Sequence, residues 1–189
     1  MGVYLVDVGA ADWRAEDEGG YGEIASALDA ELSGRGLPRY EVPAQCRGLE
    51  FEEKLSPSMD GFVELCRAQL TRDEEETLCG WSVLVPIPLD ETVELPVGSA
   101  YTDTTVVAGA PQVLDLAQRL AAAIGLPPML PVSHMNLDLT NWFLDGRAER
   151  TAAARPGPWA DDLDAAFYVA LYVRAAQHSL RRGCPILFS

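Results

Sequence analysis

A chain of 189 residues, 48% hydrophobic and 23% charged, can build one globular domain that buries about 70% of its unfolded surface. That composition excludes collagen-like, fully disordered and polytopic membrane classes. Fourteen basic residues against 29 acidic ones leave a net charge of −15. The 13 Arg and the single Lys54 cannot form a dense cationic patch, which excludes a protein that coats nucleic acid or an anionic membrane.

In chain order, the β-branched run at 3–8, ended by Gly9 and Ala10, predicts a first strand. The acidic, Gly-rich stretch 16–20 is a loop. Tyr21, Ile24, Ala25, Leu28 and Leu32 recur at helical spacing, so 21–33 is an amphipathic helix stopped by Gly34 and Gly36. Residues 37–42 form at most a weak strand between Pro38 and Pro43. A second helix runs from Ser56-Pro57-Ser58 to about Leu70 on the face of Met59, Phe62, Leu65 and Cys66. Thr71 and Glu74 have the spacing of a capping box, which starts a third helix ending at Gly80.

Residues 81–89 read as a strand, but Pro86 and Pro88 lack amide hydrogens on one side, so it is expected at a sheet edge. With strands at 92–97 and 101–107 it should make a three-stranded antiparallel meander. Pro111 suits the first position of a helix over 111–124 whose core face is Val113, Leu116, Ala117, Leu120 and Ile124. Residues 132–140 alternate, with His134, Asn136, Asp138 and Thr140 on one side and Met135, Leu137 and Leu139 on the other, predicting a strand with a polar face. The Gly- and Pro-containing segment 145–158 reads as a flexible loop. A long helix over 159–182 has Asp161, Asp162 and Asp164 at its start and Arg181 and Arg182 at its end, matching the helix dipole. Its middle, 165–173, is apolar nearly all round and should be buried. A last short strand, 186–188, closes the chain.

These elements make residues 1–189 a single α+β domain: a mixed or mostly antiparallel sheet covered by four or five helices, with a long buried C-terminal helix. A doubly wound parallel sheet is the alternative.

Chemical signals are sparse. Gly109 lies between a strand and a helix, but no P-loop Lys follows and Pro111 removes an amide that would cradle phosphate. In Asn136-x-Asp138-x-Thr140, an amide stands where an acyl-phosphate intermediate would need a carboxylate. The catalytic candidates are His134 and Asp138, on one strand face, with Asp7 or Asp103 as carboxylates that neighbouring strands could add. Asn136, Trp13 and Trp159 are the candidates for ligand or partner binding. Cys46, Cys66, Cys79 and Cys184 contain no C-x-x-C pair, so no metal site and no cofactor are expected, and the thiols are read as reduced. Cys184 is near His178 in sequence, but it follows a helix C-terminus, whose negative end disfavours a thiolate. The N-terminal stretch has no basic segment before its apolar run, pointing to a cytoplasmic protein.

Two functions are compatible with this. One is a non-catalytic acidic interaction module (an inhibitor, an immunity-type protein or a regulatory subunit) that meets a basic protein partner. The other is a small enzyme or ligand-binding domain with a carboxylate and aromatic pocket near residues 134–138. The oligomeric state is left open by the sequence.

Overall fold

The computed structural model describes residues 2–17, 19–128, 130 and 136–189. Six strands, β1 (Tyr4–Asp7), β2 (Glu52–Lys54), β3 (Val83–Val85), β4 (Val93–Leu95), β5 (Thr105–Gly109) and β6 (Ile186–Phe188), form one mixed sheet in the order β2-β1-β6-β3-β5-β4. Eight α-helices occur among the described residues: α1 (Ala10–Arg14), α2 (Gly22–Gly34), α3 (Asp60–Gln69), α4 (Arg72–Cys79), α5 (Ala110–Ile124), α6 (Asp138–Leu144), α7 (Arg147–Ala154) and α8 (Leu163–Arg182). The α+β class holds. The five expected helices are joined by the short α1, α6 and α7.

Alternation along the strands sorts the apolar side chains into two cores. Leu5, Leu84, Ala108 and Ile186 face the layer that includes α3, α5 and α8. Their neighbours Val83, Val85, Val107 and Leu187 face α1 and α2, where Trp13, Ile24, Leu28 and Leu32 pack. The sheet thus separates two helical layers, and a one-residue slip of any central strand would exchange its two faces. Along α8, every residue from Ala165 to Tyr172 is buried, because the helix lies between the sheet and α3 and α5 rather than on the surface.

The expected meander is corrected by the strand pairing. β3 pairs in parallel with β5 and antiparallel with β6, so it is an interior strand, and β4 is the edge beyond β5. Pro86 and Pro88 do not interrupt the ladder because they follow its last paired residue, Val85. The expected loop at 145–158 contains α7, entered through Gly146 in the left-handed region (φ 73°). Residues 37–42 form no strand. α8 starts at Leu163, with the Asp162 side chain accepting from the Ala165 amide at 2.9 Å, and a short 3-10 turn (Pro158–Ala160) precedes it. The capping box at α4 forms in both directions. The Arg119 guanidinium and the Thr71 amide hold the Glu74 carboxyl well below the usual range, at about 2.

Candidate functional site

The polar strand face expected at 132–140 is not formed by the residues that can be described; His134 lies outside them. Asn136 is exposed and donates through Nδ2 to Glu52 Oε2 at 3.0 Å. Leu137 turns the chain through the left-handed region (φ 63°), and Asp138 begins α6. This helix explains the pattern that resembled a strand: Leu139 and Phe143, one turn apart, are its buried side.

Glu53 of β2 drives that outcome. Its side chain is fully buried, and it accepts from the Leu139 and Thr140 amides, both at 2.9 Å, and from Thr140 Oγ1 at 2.7 Å. A carboxylate is thereby held at the amino end of α6, where free amides and the helix dipole favour it. Glu53→Gln keeps the shape but turns an NH2 toward these donors. It should cost about 3 kcal/mol, seen as a melting temperature roughly 10 °C lower. An unchanged melting curve would show that α6 is held by apolar packing alone.

The two aromatic candidates belong to the interior. Trp13 is 2% exposed and meets Tyr40 edge-on at 5.8 Å between ring centres. Trp159 is 3% exposed, and its Nε1 donates to the Arg155 carbonyl at 3.3 Å. Neither indole is presented to a partner. Asp103 is exposed in the turn before β5.

The carboxyl ends of β1 and β3, the amino end of β6 and the carboxyl end of α8 meet at one end of the sheet, and polar chemistry gathers there. Asp7 Oδ1 accepts from the Glu50 and Phe51 amides at 2.9 and 3.1 Å, and Asp7 Oδ2 lies 3.0 Å from His178 Nε2. A carboxylate only accepts, so Nε2 carries the hydrogen in this pair. Beside it, Cys46 and Cys184 are joined in a disulfide, correcting the expectation that these thiols are reduced. The missed signal was His178, which follows the apolar stretch of the last helix and turns toward the first strand.

Asp7, Cys46 and Cys184 offer ligand atoms within 4.8 Å of one another. Bonded to each other, however, the two sulfurs are not the thiolates that a metal requires. With Asp7 at 3% and His178 at 6% exposure, the pair is closed to a substrate, and its geometry fastens β1 to α8.

Two of the surface concavities bear on function. A largely apolar groove of about 550 Å³ is walled by Leu37, Tyr40, Pro43, Pro86 and Ile87 with Arg39 and Glu41 also lining it, and the Tyr40 hydroxyl donates to the Gly183 carbonyl at 2.8 Å. A cleft of about 500 Å³ lies between the α1–α2 connection and residues 97–100; exposed Glu16, Asp17 and Glu23 rim it, and no basic side chain lines it among the described residues.

The fold and this site define an α+β protein with a mixed sheet between helical layers, a sealed Asp–His pair and an acidic cleft. Comparisons with protein-family models, curated proteins and solved structures find no match for the chain. No helix among the described residues is long and apolar enough to cross a membrane.

Proposed function

We propose that the protein is a non-catalytic, acidic interaction module that binds a basic segment of a partner protein. The observation that carries this reading is the cleft rimmed by Glu16, Asp17 and Glu23, uncompensated by any described cation in its lining, in a chain of net charge −15. A Lys or Arg side chain entering there would find several carboxylates at once. The surrounding negative field would speed its approach. A regulatory, inhibitory or immunity-type role follows from such binding without further chemistry. The imidazole of His178 supports no competing catalytic role, since it is sealed against Asp7.

A cytoplasmic location belongs to the same proposal. The Cys46–Cys184 disulfide is compatible with it because both residues are buried, at 4% and 0% exposure, so soluble reductants reach the sulfurs only through opening of the fold. The alternative of a ligand-binding domain rests on the groove at Leu37, Tyr40 and Pro86, whose apolar walls beside Arg39 and Glu41 suit a small ligand with an apolar body and a polar end.

The test is affinity capture on the immobilised full chain, followed by association kinetics with the captured protein. The expected partner is basic, and its on-rate falls steeply as salt rises past about 0.15 M, where the screening length is about 8 Å. Binding is lost in the triple variant Glu16→Lys, Asp17→Lys, Glu23→Lys. An acidic partner, or one bound equally by the triple variant, would overturn the proposal.

A further inference from the structure

The remaining two cysteines also form a pair. Cys66 lies on α3 and Cys79 is the last residue of α4, the next helix in the chain. Each thiol is the largest single influence on the protonation of the other. The two differ in access: Cys66 is 0% exposed within the core, whereas Cys79 is only partly buried and lines a cavity of about 450 Å³ with Arg67, Arg72, Glu75, Glu76 and Gly80.

We propose that Cys79 and Cys66 are a reversible redox pair, in which a small hydroperoxide entering the cavity oxidises Cys79 and Cys66 then resolves it to an intramolecular disulfide. One open sulfur backed by one sealed sulfur is the arrangement that this sequence of steps needs. The open thiol meets the oxidant, and the sealed one waits in contact for the product.

The hydrogen bond works in the same direction. The S–H of Cys66 donates to Cys79, which holds the Cys79 thiol below its ordinary value despite opposing burial and the nearby Glu75. The same hydrogen bond, reinforced by burial, pushes the Cys66 thiol up. The open sulfur, Cys79, is therefore the one that meets the oxidant, with the Cys66 hydrogen bond offsetting the negative carboxyl end of α4 on which Cys79 stands, and Cys66 retains its proton for the second step.

The cavity's charges select the oxidant. Arg67 pairs with Glu75 at 3.6 Å and Arg72 with Glu76 at 3.0 Å. With its two cations already paired, the cavity does not favour an anionic disulfide and admits a small neutral peroxide. In the first step the Cys79 thiolate attacks the peroxide O–O bond. The sulfur gains one oxygen as a sulfenic acid, and the other oxygen leaves as an alkoxide or hydroxide that takes a proton from water. In the second, the Cys66 sulfur displaces that hydroxyl, the Cys66 proton leaves with it as water, and the S–S bond forms. Two thiols are oxidised by two electrons and one peroxide is reduced; a cellular dithiol would reverse the state by exchange.

The experiment treats the folded protein, with Cys46–Cys184 intact, with stoichiometric hydrogen peroxide and maps disulfides by mass spectrometry of an unreduced digest. The expected product is a Cys66–Cys79 cross-linked peptide that dithiothreitol removes. The Cys66→Ala variant should stop at a Cys79 sulfenic acid trapped by dimedone, and Cys79→Ser should give neither product. Circular dichroism checks that both variants fold. If Cys66→Ala unfolds, the wild type decides the matter through competition between dimedone and disulfide formation. Free thiols at both positions after treatment, cross-links only between molecules, or oxidation of Cys79 to sulfinic acid without a bond to Cys66 would each overturn the proposal.

Discussion

Ala166→Asp is expected to abolish cooperative folding near room temperature. Ala166 is fully buried on α8, in the core shared with α3 and α5, and a carboxyl there has no room and no cationic neighbour along the helix. One turn earlier stands Asp162, whose side chain already caps the helix by accepting from Ala165. An ionised Asp at position 166 would repel it. Burying the charge, or forcing it to take up a proton, should cost at least about 5 kcal/mol, comparable with the whole margin of a typical domain. The same change at Ala170, also buried at 1% exposure, meets Arg174 one turn on. That cation now binds the Leu130 carbonyl at 2.8 Å and could swing to the new carboxylate, so Ala170→Asp should be the milder of the two. Circular dichroism and thermal melts of both variants check the ranking. A melting point for Ala166→Asp within a few degrees of the parent would mean that α8 is peripheral.

Loss of the Cys46–Cys184 disulfide should be nearly as costly. The bond links residues 138 positions apart, and loop-closure entropy for that length corresponds to about 5 kcal/mol of constraint on the unfolded chain. The double variant Cys46→Ala, Cys184→Ala should therefore lower the urea midpoint substantially, and reductant should have no further effect on it. In the parent, reductant should reproduce the variant's midpoint once the chain has been unfolded and refolded. Equal midpoints for parent and variant would show that the cross-link constrains nothing.

Helix periodicity carried most of the legible structure. The long helices at residues 22–34, 110–124 and 163–182 lie close to where the 3.6-residue spacing placed them. The strands were harder because five of the six are only three or four residues long, too short for alternation to be distinctive. β2 reads Glu-Glu-Lys and carries no apolar signal at all. Leu137 and Leu139 mimicked a strand because the feature that makes this segment helical, the Glu53 carboxylate, comes from a distant part of the chain. The same limit applies to the site. Asp7 was named as a carboxylate, but its partner His178 is 171 positions away, and the cysteine pairing likewise depends on topology that local spacing does not encode.

The position of β6 has a consequence for synthesis. It lies between β1 and β3, with Leu5 opposite Phe188 and Leu84 opposite Ile186. On the ribosome, β1 with β2 and β3 with β5 and β4 can each assemble early, but as two half-sheets whose inner edges stay unpaired until residues 186–188 emerge. Those edges are the apolar strands Tyr4–Asp7 and Val83–Val85, the kind of exposed ladder that recruits other chains. Joining them requires contacts such as Leu5 with Phe188, 183 positions apart, which makes the closing step slow. The nascent protein is therefore most exposed to aggregation just before β6 is delivered, and its yield in cells should depend on how well chaperones cover two open sheet edges during that interval.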